Sequence, residues 1–182
     1  MDLHDEVMRA NGGSWSSPPE SVSWNWLHRT ALHRVVLEFE GCDCWGFKDP
    51  RSLFTLNYWE EIIPQMEFVG IFRSPVAVAR SLWTRDVISF PTLERGIDLW
   101  TAYNRRLLEV HARRPFPIVN FDASSDEFAA KLDLVREKLG FVKSGDAGAF
   151  FSDDLRHQQG ATEIEIPVET ARLHDHLLSL AL

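Results

Sequence analysis

Short apolar runs alternate with segments of helical periodicity along this sequence, and this alternation restricts its fold more than any other feature. Three runs have the length of a β-strand: 42–47, 68–72 and 116–121. Between them, apolar residues recur every three or four positions, as one face of a helix requires. Strands separated by helices pair in parallel with right-handed crossovers. The sequence therefore predicts an α/β fold, a three-layer parallel sheet flanked by helices.

Turn and capping residues predict where the helices begin and end. Ser74 before Pro75 is typical of a helix start, where the missing N–H of proline costs least. The segment 124–127 has the capping-box pattern, and Gly140 is placed to end the helix that follows. The predicted helices cover 22–37, 52–63, a segment that begins at Ser74, 92–113, 124–139 and a segment from about Pro167 onward.

Composition and charge limit the classes of partner. The 182 residues include 19 Lys and Arg against 27 Asp and Glu, a formal net charge of −8. An acidic chain lacks the clustered cations that bind a nucleic-acid backbone, so we expect no nucleic-acid partner. No apolar stretch approaches the length of a signal peptide or of a membrane span. The sequence predicts a single domain over 1–182, located in the cytoplasm and without a membrane partner.

The chain contains two cysteines, Cys42 and Cys44. In a strand, this spacing places both side chains on one face. A metal site would need further Cys or His ligands at a usable spacing, and none lies nearby in sequence. We therefore expect two buried thiols and no metal.

Two polar clusters follow predicted strands, at 48–51 and at 73–75. Because the carboxyl ends of parallel strands share one edge of a sheet, both clusters are expected at one ligand-binding edge. A helix that starts at Ser74 offers N–H groups to an anion, and Arg73 adds a guanidinium. Ser81 lies seven residues after Ser74, about two helical turns, and so returns to the same face. Arg73 and Ser81 are thus predicted to bind one phosphate.

The pattern resembles the PAPS-dependent sulfotransferases of bacterial type, in which a strand ends in Arg, a Pro follows shortly, and a Ser comes eight positions after the Arg, as in Arg73–Ser81. Other segments similar to that family are 45–51, 100–104, 116–122 and 150–157. The resemblance implies a P-loop sulfotransferase-like fold and 3′-phosphoadenosine 5′-phosphosulfate as co-substrate, without a metal. It also implies transfer of the sulfuryl group to a hydroxyl or amine of a small-molecule or glycan acceptor.

The resemblance implies roles for six residues. Arg73 and Ser81 would bind the 3′-phosphate, and Lys48 would neutralise charge on the bridging oxygen of the phosphosulfate. Asp49 is the carboxylate nearest to Lys48 in sequence and is the candidate general base. The remaining candidates for nucleotide contacts are Arg51 and Arg156.

One departure from the family pattern concerns the loop that holds the 5′-phosphosulfate. No strand followed by a Gly/Ser/Thr-rich loop occurs in this sequence, which suggests that the N-terminal part of the domain, with the first strand, is missing. The alternative is an inactive remnant or fragment that keeps a 3′-phosphoadenosine site or only the scaffold. Such a remnant would bury its exposed sheet edge in a homo-oligomer. A nucleotide kinase is disfavoured because the P-loop with its Lys is absent.

Structural roles stay open for the same residues. Arg73 would pair with an acid such as Glu67 or Asp86, and the hydroxyl of Ser81 would bond to the carbonyl four residues earlier. Asp49 would cap the turn before Pro50, leaving Lys48 at a solvated strand end. Arg51 would be an ion-pair partner.

Overall fold

The computed structural model describes residues 3–141 and 164–182 of the chain. Within these ranges the chain forms seven helices and one two-stranded sheet. It separates into two compact units, Met1–Met66 and Glu67–Leu182, where the sequence predicts one domain. In chain order the elements are α1 Leu3–Ala10, α2 Trp26–Glu38, α3 Ser52–Ile62, β1 Gly70–Phe72, α4 Pro75–Arg85, α5 Leu93–Arg113, β2 Ile118–Asn120, α6 Ser125–Lys138 and α7 Val168–Leu180.

The first unit is helical in its described part. Helix α1 packs against both α2 and α3. Its Val7 and Met8 are fully buried, as is Leu32 of α2, and Trp59 of α3 is 3% exposed. The short α1 is thus held by its apolar face, since an isolated helix of eight residues is unstable in water.

The second unit is built around β1 and β2, which pair in parallel with Gly70 opposite Ile118 and Phe72 opposite Asn120. Helices α4 and α5 pack closely because α5 has Gly96 where it meets Ala79 of α4. Helix α7 contacts both α5 and β2, and α6 contacts β2.

The helix starts predicted in the second unit are confirmed. The Ser74 hydroxyl caps α4 by accepting a hydrogen bond from the Ala77 N–H, and Pro75 is the first helical residue. Thr92 caps α5. At α6 both halves of the capping box between Ser124 and Glu127 are present. Parallel pairing of the second and third predicted strands is also confirmed, although each is only three residues long.

The predicted three-layer parallel sheet flanked by helices, with its P-loop sulfotransferase-like fold, is wrong. The described residues are mostly helical and contain only the two-stranded parallel sheet. Segment 42–47 forms no strand. It contains Asp43 and Gly46 and meets no strand to complete a ladder, and a strand persists only where its backbone groups find partners. Even β1 is not buried on both faces, since Ile71 is 46% exposed.

The prediction of buried thiols is wrong as well. Cys42 and Cys44 are both free and exposed. The prediction assumed that 42–47 is a strand and that one face of it is covered by other residues. The segment is not a strand, and the side of Cys42 and Cys44 is not covered. In the described ranges, no helix has the length and apolar character needed to cross a membrane, and no cluster of His, Cys, Asp and Glu is arranged for a metal ion.

Candidate functional site

Arg73 lies at the corner between β1 and α4, directly after the strand. Its backbone carbonyl accepts a hydrogen bond of 2.8 Å from Nε1 of Trp100, a nearly buried residue of α5. The parallel register puts Phe72 opposite Asn120, so the residues that follow the two strands come level with each other. The corner is therefore fixed by the sheet on one side and by α5 on the other.

The partner of Arg73 is Asp122, two residues beyond β2. The Arg73 Nε donates to Oδ1 of Asp122 at 2.8 Å. The other carboxylate oxygen accepts from the backbone N–H of Ser74. One carboxylate thus binds the side chain of the residue that ends the strand and the backbone of the residue that caps the helix.

The guanidinium of Arg73 keeps its two terminal nitrogens available. Neither Nη1 nor Nη2 forms a hydrogen bond with any part of the chain that the structure describes. The guanidinium carbon lies 5.5 Å from the centroid of the Phe121 ring, and the side chain is 20% exposed. The two terminal nitrogens of a guanidinium can donate two parallel hydrogen bonds to a phosphate or a carboxylate, and this is a strong mode of binding for either anion.

The N–H groups at the start of α4 are largely taken. The Ser74 N–H donates to Asp122, the Ala77 N–H to the Ser74 hydroxyl, and the Val78 N–H to the Ser74 carbonyl. Pro75 has no N–H to give. The sequence predicts that backbone N–H groups of the helix help to bind an anion here. Because most of these groups already have acceptors, a ligand at this corner would depend mainly on side-chain donors.

Ser81 is half-buried on α4, two turns after Ser74. Its hydroxyl forms no hydrogen bond among residues 3–141 and 164–182, so it does not bond back to the carbonyl of Ala77. The predicted acids do not pair with Arg73 either: Glu67 lies 3.8 Å from Arg114, and Asp86 accepts from the Ser89 N–H. The hydroxyl of Ser81, on α4, and the terminal nitrogens of Arg73, just before α4, are thus two donor sites without a partner among the described residues.

The second group of candidates, Lys48, Asp49 and Arg51, lies in the first unit. Asp49 accepts hydrogen bonds from the backbone N–H of Arg51 at 2.9 Å and from its Nε at 2.8 Å, and Nη2 of Arg51 reaches the other oxygen at 2.7 Å. Nη1 of Arg51 lies 2.9 Å from Asp5 of α1. Lys48 is exposed and has no bonding partner among the described residues. Arg51 thus joins the turn before α3 to α1.

The charge state of Asp49 follows from these contacts. Partial burial raises the pKa of its carboxyl, but the hydrogen bonds from Arg51 and the nearby positive charges of His4 and Arg51 outweigh it, so the pKa lies below the ordinary value of 3.8. A carboxylate with a lowered pKa is a weak general base. The contacts of Asp49 are those of a turn cap.

The structure does not form the shared sheet edge at which these two groups were expected to meet. That edge required a strand before Lys48, and segment 42–47 is not one. Arg73 follows β1 and Ser81 lies on α4, while Lys48, Asp49 and Arg51 belong to the turn before α3. Arg156, the remaining candidate, and His157 lie outside the described residues.

Sequence reasoning missed two residues. Asp122 directly follows the third apolar run, 116–121, which puts it near the carboxyl end of the strand beside β1, and this position is the signal that could have found it. His4 was left without a partner. It is 6% exposed, its Nδ1 lies 2.7 Å from Oγ1 of Thr55, and its ring stacks on Trp59 with 5.8 Å between centroids.

His4 also lines an open cavity of about 550 Å³ in the first unit. The lining is mostly aromatic and apolar and consists of Leu3, His4, Val35, Phe39, Trp45, Gly46, Phe47 and Trp59. Trp45 and Trp59 are the tryptophans of this lining.

No protein-family model matches this chain. Comparison with curated proteins and with solved structures likewise yields no match.

Proposed function

We propose that the β1–α4 corner binds the 3′-phosphate of 3′-phosphoadenosine 5′-phosphosulfate and that the protein is a sulfotransferase. The observation that carries this proposal is the pair of donor sites without partners, the terminal nitrogens of Arg73 and the hydroxyl of Ser81. A guanidinium held through Nε presents both Nη atoms to two oxygens of a phosphate. The eight-residue spacing shared with the sulfotransferases supports the choice of a 3′-phosphonucleotide.

In the proposed reaction a hydroxyl or amine of the acceptor attacks the sulfur of the co-substrate in line. A bond forms between the acceptor and sulfur, the bond from sulfur to the bridging oxygen breaks, and that electron pair leaves with adenosine 3′,5′-bisphosphate. The acceptor releases one proton. Such a transfer depends on positioning and on stabilisation of charge. The part proposed for Arg73 and Ser81 is to position the leaving nucleotide.

Lys48 is exposed and has no partner in the described part of the chain, and it receives no part in the proposed transfer. Asp49 receives no support as a base, because Arg51 engages both of its oxygens. A cytoplasmic setting belongs to the same proposal. The unpaired thiols Cys42 and Cys44 suit a reducing compartment.

The second candidate is a protein that binds the nucleotide without transferring sulfate. The engagement of Asp49 by Arg51 favours it, since this removes the one base that the sequence offers beside Lys48. Both candidates share the site at Arg73 and differ only in turnover. Sulfuryl transfer from a labelled co-substrate to a panel of phenols, amines and glycans, with Arg73→Ala as the comparison, separates them.

The experiment that tests the site is titration calorimetry of the full chain with adenosine 3′,5′-bisphosphate. Arg73→Ala should weaken binding by about tenfold or more, as expected for a hydrogen-bonded charge pair, and Ser81→Ala by several-fold. Arg105→Ala is the matched control, because Arg105 is another arginine of the second unit that forms an ion pair, in its case with Glu169 of α7. Equal affinity of the Arg73→Ala and Arg105→Ala variants would contradict the proposal.

A further inference from the structure

Asp122 is the acid that touches Arg73 within the described ranges, and the way it does so distinguishes two roles. An acid that competes with a phosphate would occupy the terminal nitrogens of the guanidinium, where a phosphate binds end-on. An acid that orients the guanidinium would bind elsewhere and leave those nitrogens open. Asp122 uses Nε, at 2.8 Å, and neither Nη.

The carboxylate of Asp122 is itself held in place. Its second oxygen accepts from the Ser74 N–H, so the carboxylate bridges the end of β1 and the cap of α4. The Asp122 N–H donates to Oδ1 of Asn120 at 2.9 Å, which fixes the turn after β2. The Asp122 side chain is 30% exposed and that of Arg73 is 20% exposed, so a ligand from solvent can reach the pair.

We propose that Asp122 is a positioning residue of the phosphate site and that it gives the site its preference for a nucleotide with a 3′-phosphate. This inference rests on the function proposed for Arg73. By holding Nε, Asp122 fixes the plane of the guanidinium, so that little side-chain freedom is lost when both Nη atoms bind phosphate oxygens. Asp122 itself does not touch the ligand.

The test compares adenosine 3′,5′-bisphosphate with adenosine 5′-monophosphate, which lacks only the 3′-phosphate. The ratio of their dissociation constants, the 3′-phosphate discrimination, is measured for the wild-type full chain, Arg73→Ala, Asp122→Ala and the double variant. We expect Arg73→Ala to reduce the discrimination by about tenfold or more and Asp122→Ala to reduce it by several-fold. The double variant should equal Arg73→Ala alone, because Asp122 acts through Arg73.

Two further proteins separate positioning from a general effect on folding. Glu169→Ala removes the acid of another arginine pair in the same unit and should leave the discrimination unchanged. Arg73→Lys keeps a positive charge but has no Nε–H for Asp122 to hold. Arg73→Lys should therefore lower the discrimination, since lysine offers no planar pair of terminal nitrogens to two phosphate oxygens. Asp122→Leu, which is similar in size and has no acceptor for Nε, replaces Asp122→Ala throughout if the alanine variant does not fold, as judged by circular dichroism.

Three outcomes would overturn the inference. Tighter binding of the bisphosphate by Asp122→Ala would show that the acid competes with the ligand. An unchanged discrimination in Asp122→Ala, with the loss in Arg73→Ala intact, would remove the role of Asp122 and leave the proposed function standing. If Arg73→Ala retains full discrimination, the proposed function fails first and the role of Asp122 fails with it.

Discussion

The Nε atom of Arg73 and the Oδ1 atom of Asp122 lie 2.8 Å apart, although 49 residues separate the two in sequence. The parallel register of β1 and β2 brings them together, since both residues follow the strand ends. This contact leaves Nη1 and Nη2 of Arg73 without a hydrogen bond to any described residue. A partly exposed ion pair of this kind adds little to stability, so its geometry matters more for what it presents than for the fold.

Gly96 of α5 permits the close approach of α4. A Cβ atom at this position would lie 2.7 Å from the Cα and 2.9 Å from the Cβ of Ala79. Because one of these is a backbone atom, relief requires the helices to move apart, and Gly96→Ala should lower the free energy of unfolding by about 1–3 kcal/mol. Urea unfolding measures this. Gly46→Ala is the control, since a Cβ there meets nothing within 4 Å; equal stability of the two variants would contradict the packing argument.

Thr101 of α5 and Thr170 of α7 form a buried hydrogen bond of 2.8 Å between their hydroxyls. Thr101 also donates to the Ile97 carbonyl, and since one hydroxyl carries one proton, Thr170 is the donor to Thr101. Thr101→Val then leaves the Thr170 hydroxyl, 2% exposed, without an acceptor, at a cost of about 1–3 kcal/mol. Thr170→Val orphans no donor and should cost less. Thermal unfolding of both variants checks the order, and a larger loss in Thr170→Val would reverse the donor assignment.

The pKa of Asp49 predicts how stability depends on pH. Because this pKa is lower in the folded chain than its ordinary 3.8, the contribution of Asp49 is present above pH 3.8 and is lost as the pH falls through the lower, folded value. The stability gap between the wild type and Asp49→Asn should therefore shrink as the pH falls below about 4. Urea unfolding at a series of pH values measures it. A gap that does not change with pH would mean that Asp49 is not held as an anion.

Ser124 caps α6 within a complete capping box. Its hydroxyl accepts from the Glu127 N–H, and Ser124→Ala leaves that donor to water, so we expect a loss of about 1 kcal/mol. Ser124→Thr keeps an acceptor for the Glu127 N–H and a hydroxyl for the Glu127 carboxylate, and should recover most of the loss. Chemical unfolding of the three proteins tests this; identical midpoints for wild type and Ser124→Ala would show that the box contributes nothing.

Local chemistry in the sequence was enough to predict the helix starts, while the sheet was not predictable. A helix cap depends on contacts within three or four residues, as at Ser74 and Pro75 or at Ser124 and Glu127. A short sequence pattern is therefore enough to predict where such a helix begins. Whether 42–47 is a strand depends on a partner that the segment itself does not specify, and the structure supplies none. Burial of Cys42 and Cys44 failed for the same reason.

The candidate site divides along the same line. The capping pattern was enough to predict that α4 begins directly after Arg73 and contains Ser81, because Ser74 and Pro75 act locally. The acid that pairs with Arg73 depends on the register between β1 and β2, which the sequence does not encode in any local pattern, so Glu67 and Asp86 were named and Asp122 was missed. The loop of Asp49 and Arg51 closes on itself and on α1, a contact made only by tertiary packing.

The most direct test of the account is the preference of the wild-type full chain for adenosine 3′,5′-bisphosphate over adenosine 5′-monophosphate, measured by calorimetry at one salt concentration. We predict that the bisphosphate binds more tightly by about tenfold or more and that Arg73→Ala removes most of this preference. Equal affinities of the wild type for the two nucleotides would contradict the account, because the corner at Arg73 would then not recognise a 3′-phosphate.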